Sequence, residues 1–413
     1  MNAPAKTLSK GKGEDRQKVK ILKKLNAEEK NYTEVSWRLC SQRLAETGAK
    51  DSANLSNTNE SVLLAAGLTI HDVHPRGNTK RKRIHEIASN NTHKRKQEEE
   101  KEPWDHDPVV DPCRITATEV KRRTVFEDVE SLLSFVAITC NGDIEKVCET
   151  TSCLSWFEEW MMFCEYVWGK TGTRWKDIAH TYRVGLTSAQ KIVKRKKAMV
   201  LECRSRWPLF VSQEEDEALR NERWNYTYKD RRVIFWDNSN VNMRYTPTEA
   251  SLNRRTYSSY YGGNVAKGGV FVQLCGWLGT HSLWVGAVSD TKYLSESGIL
   301  EMQEEFVETD LTSDLPFTNI VDKGYRCVIA AWRKGQYLVQ PKFARSDRKF
   351  TTEDILTSAC IATDRSGNER AVNVCKYSGV IQRGLLRSGN PADLDDTWLA
   401  WSFQSNFVFR PVL

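Results

Sequence analysis

Three acidic residues in the second half of the chain occupy positions at which carboxylates can do chemistry. Asp237 follows the apolar run of residues 233–236, Asp322 follows the apolar run in FTNIVDKGYR, and Glu369 lies in the predicted helical segment IATDRSGNERAVNVCK. An acid at a strand end often caps only a turn or a helix. Carboxylates brought together from adjacent strand ends repel one another and lose solvation, so they are usually found with a divalent cation. The three acids together therefore predict a cation site.

Alternating strands and helices would bring these acids together. Strands are predicted over residues 233–236, 269–277, 282–288, 318–321 and 336–341. The second and third strands are predicted to form a hairpin that turns at residues 278–280, and helices are predicted over 297–309 and 351–380. This order predicts an α/β fold with a mixed sheet. It matches the RNase H-like topology, in which the first strand, the fourth strand and a late helix each carry one acid.

Residues 113–211 are predicted to be helical and contain a pattern typical of a helix-turn-helix. The turn is predicted at residues 184–186, with Thr187 or Ser188 as the cap of the second helix. That helix is predicted to end in the basic run of residues 194–197. The candidate DNA-binding residues are Thr187, Gln190 and Lys191 for bases, and Lys194, Arg195 and Lys196 for phosphates. The alternative is an ordinary helical pair with a basic, solvent-exposed face.

Residues 1–112 are predicted to be disordered, because few aromatic and many polar residues leave too little apolar surface to bury. Two basic clusters lie in this arm, and they comprise Lys80, Arg81, Lys82 and Arg83, followed by Lys94, Arg95 and Lys96. Their spacing predicts a two-part nuclear localisation signal and hence a nuclear protein. A solvated, charge-rich linker is the alternative interpretation.

The amino-acid composition limits the class of protein to which this chain can belong. The chain has 413 residues, 39% of them hydrophobic, a net charge of +7 and eleven cysteines without a CxxC pair. These values indicate two or three domains with reduced thiols, and they argue against a disulfide framework and a zinc cluster. No apolar run is long enough to span a bilayer, and the first residues lack the apolar core of a secretory signal, so no membrane association is expected.

The segments WDNSNV, TYSSYYGGNVAKGGVFVQLCG, LWVGAVSDTKYL, VDKGY and RSGNERAVNVCK resemble the transposase domain of the DDE superfamily, in particular the Harbinger-type and related insertion-sequence group. The resemblance covers about residues 231–380. It implies that Asp237, Asp322 and Glu369 are the catalytic residues and bind the metals. The chain departs from the family at Asn238-Ser239-Asn240, where a small Gly-Thr step usually follows the first acid.

The expected reaction is phosphodiester cleavage of double-stranded DNA with two Mg²⁺ or Mn²⁺ ions, which activate the attacking oxygen and stabilise the leaving oxygen. Strand joining would follow in a transposase. The candidate phosphate contacts are Lys267, Lys323, Arg365, Arg370 and Lys376, with surface solubility as the alternative role. No convincing serine, cysteine or histidine nucleophile is present.

The predicted organisation is a basic arm (1–112), a helical DNA-binding region (113–211), an RNase H-like endonuclease domain (212–383) and a C-terminal tail (384–413). The tail is expected to pack on the catalytic domain through Trp398, Trp401, Phe403, Phe407 and Phe409. One alternative function is a domesticated, catalytically silent descendant that binds DNA or a protein. Another is an RNA-directed nuclease, because the topology does not choose the nucleic acid. The sequence does not define the oligomeric state or the need for a helper DNA-binding protein.

Overall fold

The computed structural model describes residues 110–112, 114–150, 152–169, 174–243, 250–342, 349–382 and 391–408. The predicted disordered arm and both of its basic clusters lie outside these residues, and so does Phe409. Within the described part of the chain, no helix is both long and apolar enough to cross a membrane.

The first part of the described chain is helical, as predicted for residues 113–211, and two further helices follow at residues 213–227. Its helices are α1 Ala117–Thr124, α2 Val129–Thr139, α3 Ile144–Cys148, α4 Trp156–Trp168, α5 Trp175–Thr181, α6 Leu186–Arg206, α7 Gln213–Leu219 and α8 Glu222–Thr227. Side-chain caps define several starts: Asp128 accepts from the backbone of Ser131, and Ser155 forms a capping box with Glu158. Every residue of α4 is buried, so its aromatic side chains belong to the core.

The second part forms one mixed sheet with helices. Its elements are β1 Arg232–Asn242, α9 Ala250–Thr256, β2 Tyr257–Ser258, β3 Gly263–Gln273, β4 Leu278–Thr280, β5 Trp284–Val285, α10 Asp290–Glu296, α11 Ile299–Thr309, β6 Phe317–Ile320, α12 Val328–Arg333, β7 Tyr337–Val339, α13 Thr352–Lys376, α14 Gly379–Gln382 and α15 Pro391–Val408. The strand order is β2-β3-β1-β6-β7, and β4 and β5 also pair with β3. β1 is antiparallel to β3 and parallel to β6, and β7 is parallel to β6. The predicted α/β fold with a mixed sheet is confirmed.

Strand β1 is covered on both faces, which explains its continuous apolar start. Val233 and Phe235 belong to a buried cluster with Ile361 of α13. The alternate residues Ile234 and Trp236 belong to a second cluster, which contains residues of α10 and α11. A strand buried on both faces is apolar throughout rather than alternating.

Several predicted boundaries differ from the structure. β1 extends to Asn242, because its polar second half pairs with β3, so Asp237 lies inside the strand rather than at its end. Residues 278–280, predicted to be a hairpin turn, form β4. The chain reverses before them, at Gly276, whose φ of 87° suits glycine. The predicted helix over 297–309 starts at Ile299 and is preceded by α10.

The Lys267-Gly268-Gly269 segment of β3 has glycines because two indole rings lie directly on the strand. A Cβ at Gly268 would lie 2.8 Å from the ring of Trp398, and a Cβ at Gly269 would lie 2.7 Å from the ring of Trp236. A side chain at either position would therefore displace a buried tryptophan. These glycines let β3 lie close to the ring of Trp236 on β1 and to the ring of Trp398 on α15.

Helix α15 joins the two parts of the chain. It contacts α2, α4 and α6 of the helical part, and also β4 and α13 of the sheet part. Asn406 binds both backbone groups of Leu278, at 3.0 Å and 2.9 Å. The tail predicted to pack on the sheet part does so through Trp398, Trp401, Phe403 and Phe407, and it packs on the helical part as well.

Candidate functional site

The pairing of β1 with β6 places two of the predicted acids at the same edge of the sheet. Phe235 pairs with Ile320 in the parallel register. Asp237 and Asp322 each follow these partners by two residues. Because the strands run in the same direction, the two acids occupy matching positions just beyond the end of β6.

Arg365 of α13 connects these two acids. Its Nη1 donates to Asp322 Oδ1 at 2.9 Å, and its Nη2 lies 3.8 Å from Asp237 Oδ2. Arg365 is 8% exposed, whereas the Asp322 side chain is 54% exposed. The guanidinium is thus a buried cation between two carboxylates, although the sequence suggested a phosphate contact for it.

Asp237 is the more buried of the two acids, and its burial disfavours the ionised carboxylate. Burial raises its pKa to about 6. The backbone N–H of Asn238, which donates to Asp237 Oδ1 at 2.8 Å, and the charge of Arg365 both oppose this rise, while Asp290 and Asp322 add to it. A second positive charge at this point would favour the ionised carboxylate.

Glu369 does not join the two strand acids in a cation cage. It is exposed on α13, four residues after Arg365, so the two side chains share one face of the helix. Among the described residues, no group of three or more histidine, cysteine or acidic side chains is arranged to hold a metal ion. The structure therefore brings Asp237 and Asp322 together and leaves Glu369 one helical turn from their shared arginine.

Lys267 and Asp290 form a second charged group beside the first. Lys267 Nζ donates to Asp290 Oδ1 at 2.7 Å and to the carbonyl of Val288 at 2.6 Å. Asn238 Nδ2 donates to the same Asp290 oxygen at 3.1 Å. Lys267 was predicted to contact phosphate, but it is 7% exposed and its ammonium forms an ion pair with Asp290. The sequence did not predict this pairing, although Asp290 lies in the segment LWVGAVSDTKYL.

Buried polar atoms without hydrogen-bond partners lie close to Asp237 and Arg365. Ser239 lies two residues after Asp237 on β1, and Asn368 lies one turn after Arg365 on α13. Both are 0% exposed, and neither Ser239 Oγ nor either amide atom of Asn368 has a hydrogen-bond partner among the described residues. The hydroxyl of buried Tyr325, whose pKa is raised by burial and further by Asp237, also lacks one. Such atoms usually mark ordered water, an ion or a functional role.

The predicted helix-turn-helix corresponds to α5 and α6. Gly185 is the N-cap of α6 and no side-chain cap is present, so the predicted cap at Thr187 or Ser188 is wrong. The candidate base-reading residues Thr187, Gln190 and Lys191 are exposed, and so is Lys194. Their spacing places them on one side of the helix.

The structure corrects the role predicted for Arg195 and Lys196, since α6 continues to Arg206 and both side chains pair with Glu159 of α4. Lys196 is 0% exposed, with its Nζ 3.3 Å from Glu159 and 4.7 Å from the ring centroid of Trp160. Burial lowers its pKa. Arg195 Nη2 donates to the same glutamate at 2.9 Å. These charges stabilise the contact between α6 and α4 and are not presented to a phosphate.

The remaining candidate phosphate contacts differ in exposure. Lys323, next to Asp322, and Arg370, next to Glu369, are exposed, whereas Lys376 at the end of α13 is half-buried. Their contact with a phosphate stays a prediction.

Comparison with known proteins finds no relative. No protein-family model matches the chain, and neither a curated protein nor a solved structure matches it significantly. The resemblance to the DDE superfamily therefore rests on the sequence motifs alone.

Proposed function

We propose that this chain is a metal-dependent DNA endonuclease of the DDE type, with an RNase H-like catalytic sheet. The observation that carries the proposal is the register-matched pair Asp237 and Asp322, which faces the helix that bears Glu369. The strand order supports the RNase H-like topology, because β1 lies centrally between antiparallel β3 and parallel β6.

The donor chemistry at this edge of the sheet fits Mg²⁺ or Mn²⁺. Asp237 and Asp322 would supply hard carboxylate oxygens, and Glu369 would supply a third only after its side chain turned from the exposed face of α13 toward the two strand acids. Two such ions held by these carboxylates would supply activation of the attacking oxygen and stabilisation of the leaving oxygen of a phosphodiester. The N–H of Asn238 orients the Asp237 carboxylate, and the exposed Asp322 leaves the site open to a large substrate.

Double-stranded DNA is the proposed substrate. The exposed side of α6, formed by Thr187, Gln190, Lys191 and Lys194, combines hydrogen-bonding groups with positive charge, as a helix entering the major groove requires. We also propose a nuclear location, based on the basic clusters of residues 80–83 and 94–96.

A catalytically silent DNA- or protein-binding descendant is the second candidate. The ion pairs of Arg365 favour it, because its guanidinium occupies the point between Asp237 and Asp322 at which a cation would be expected. A permanently bound guanidinium would leave the fold and the DNA-binding face intact while preventing cleavage.

Cleavage of a supercoiled plasmid by the full-length protein in Mn²⁺ tests the two candidates. We expect nicking that Asp322→Asn and Glu369→Gln each reduce by about 10²-fold or more, the size of loss seen when one stabilising group is removed from a transition state. Glu305→Gln, at an exposed acid on α11, is the matched control and should retain full cleavage. DNA binding without any cleavage would favour the silent descendant.

A further inference from the structure

Two ion pairs hold the guanidinium of Arg365 between the strand acids Asp237 and Asp322. Its Nη1 and Nη2 face Asp322 and Asp237 at 2.9 Å and 3.8 Å. The side chain is 10% exposed, and its Nε has no hydrogen-bond partner within the part of the chain that the structure describes. A buried cation of this kind depends on its acidic partners for compensation, and the acids depend on it in turn.

We propose that Arg365 is an internal counter-ion that competes with a divalent cation for Asp237 and Asp322, so that metal binding requires the guanidinium to leave. The inference rests on the proposed function, since the competing ion is the metal of that site. The guanidinium occupies Asp322 Oδ1 and lies 3.8 Å from Asp237 Oδ2, and a second cation between the same acids would be repelled by it. The Asp322 side chain is 54% exposed, so solvent reaches the site on the side of this acid, and the displaced arginine would turn toward it.

Isothermal titration of the full-length protein with MnCl₂ tests the competition directly. We expect Arg365→Gln to bind Mn²⁺ at least about tenfold more tightly than the wild type, because a positive charge has been removed from the ligands. Arg365→Lys cannot bridge both acids, so its affinity should lie between the two. Arg223→Gln is the matched control, because Arg223 of α8 pairs with Asp364, the neighbour of Arg365 on α13, rather than with a strand acid, and the Mn²⁺ affinity of this variant should equal that of the wild type.

Thermal melting distinguishes competition between Arg365 and the metal from a role of Arg365 in packing alone. Without metal, Arg365→Gln should melt below the wild type, because Asp237 and Asp322 then face each other uncompensated, and Mn²⁺ should raise its melting temperature by more than it raises that of the wild type. A packing role would lower the melting temperature equally with and without Mn²⁺, and this result would overturn the proposal.

Unchanged Mn²⁺ affinity in both Arg365→Gln and Arg365→Lys would overturn it as well. If Arg365→Gln does not fold, the comparison of Arg365→Lys with the wild type decides. The proposed nuclease activity can fail separately. Should the wild type not cleave DNA while Arg365→Gln gains an Mn²⁺ affinity that Arg365→Gln/Asp322→Asn lacks, the competition stands and the nuclease proposal falls.

Discussion

His281 is a residue whose neutral form the fold favours. Its ring Nδ1 lies 3.3 Å from the hydroxyl of Tyr293, and its carbonyl accepts from Trp398 Nε1 at 3.1 Å. Burial, and to a lesser extent the charge of Arg204, lower its pKa to about 4 from an ordinary value of 6.5. The unfolded chain therefore binds this proton more readily, so stability that is present above pH 6.5 is lost as the pH falls toward 4.

Replacement of His281 by glutamine should remove this part of the pH dependence. We expect the melting temperature of His281→Gln to fall less steeply than that of the wild type between pH 6.5 and pH 4, because the variant has no imidazole to protonate. Thermal melts at half-unit pH steps measure the difference. His180→Gln, at an exposed histidine on α5, should follow the wild-type curve. Equal slopes for His281→Gln and the wild type would show that His281 is not responsible.

The candidate acids were predictable residue by residue, and their partners were not. Asp237 and Asp322 each follow an apolar run, which is a local signal of a strand and its end. The bond from Arg365 to Asp322 joins residues 43 positions apart, and it depends on where α13 lies against the sheet. The buried Lys267–Asp290 pair depends in the same way on the register of β3. No local pattern distinguishes these cations from surface ones.

At the scale of elements, helices with strong end signals were predicted best. The predicted helical segment 351–380 corresponds to α13 and α14, and Thr351 and Asp354 form a capping box at its start. The second half of β1 was missed because NSNVN has no apolar alternation, and only pairing with β3 extends it. The end of α6 was misplaced because its basic run looks like a solvated helix terminus, whereas Glu159 compensates that charge inside the molecule.

The exposed side of α6 carries the prediction for DNA binding. A triple variant with alanine at Gln190, Lys191 and Lys194 should bind duplex DNA more weakly, and the slope of log affinity against log salt should fall by about two, one for each lysine that contacts a phosphate. Fluorescence anisotropy with a labelled duplex at several salt concentrations measures both quantities. The melting temperature should stay near the wild-type value, because all three side chains are exposed.

Lys334→Ala is the matched control for lost charge. Lys334 lies 3.5 Å from Glu301 and 3.2 Å from Glu304, so these acids already pair its ammonium. We expect its removal to leave the DNA affinity and the salt slope unchanged. If the triple variant binds DNA as tightly as the wild type, DNA contacts a surface other than the exposed side of α6.

At the scale of the whole molecule, the helical part and the sheet part share a core. One cluster of buried side chains includes Trp160 of α4, Val200 of α6, Val272 of β3 and Trp401 of α15. The indole of Trp401 is fully buried, stacks on Trp168 at 5.7 Å and donates to the carbonyl of Val374 at 3.3 Å. A domain boundary at residue 212 stays a prediction, but a shared core implies that the two parts unfold together.

Trp401→Ala tests this cooperativity. Truncating a fully buried tryptophan should cost about 3–5 kcal/mol of unfolding free energy. The ring of Trp401 contacts α4, and its indole N–H donates to α13. The loss should therefore shift a single unfolding transition in urea, and far-UV circular dichroism and tryptophan fluorescence should report the same shift. Tyr226→Ala, at a side chain that is 92% exposed, should change stability by less than about 0.5 kcal/mol. Two transitions of which only one moves would mean that α15 belongs energetically to one part, and that the helical region and the sheet are separate domains joined by a contact surface.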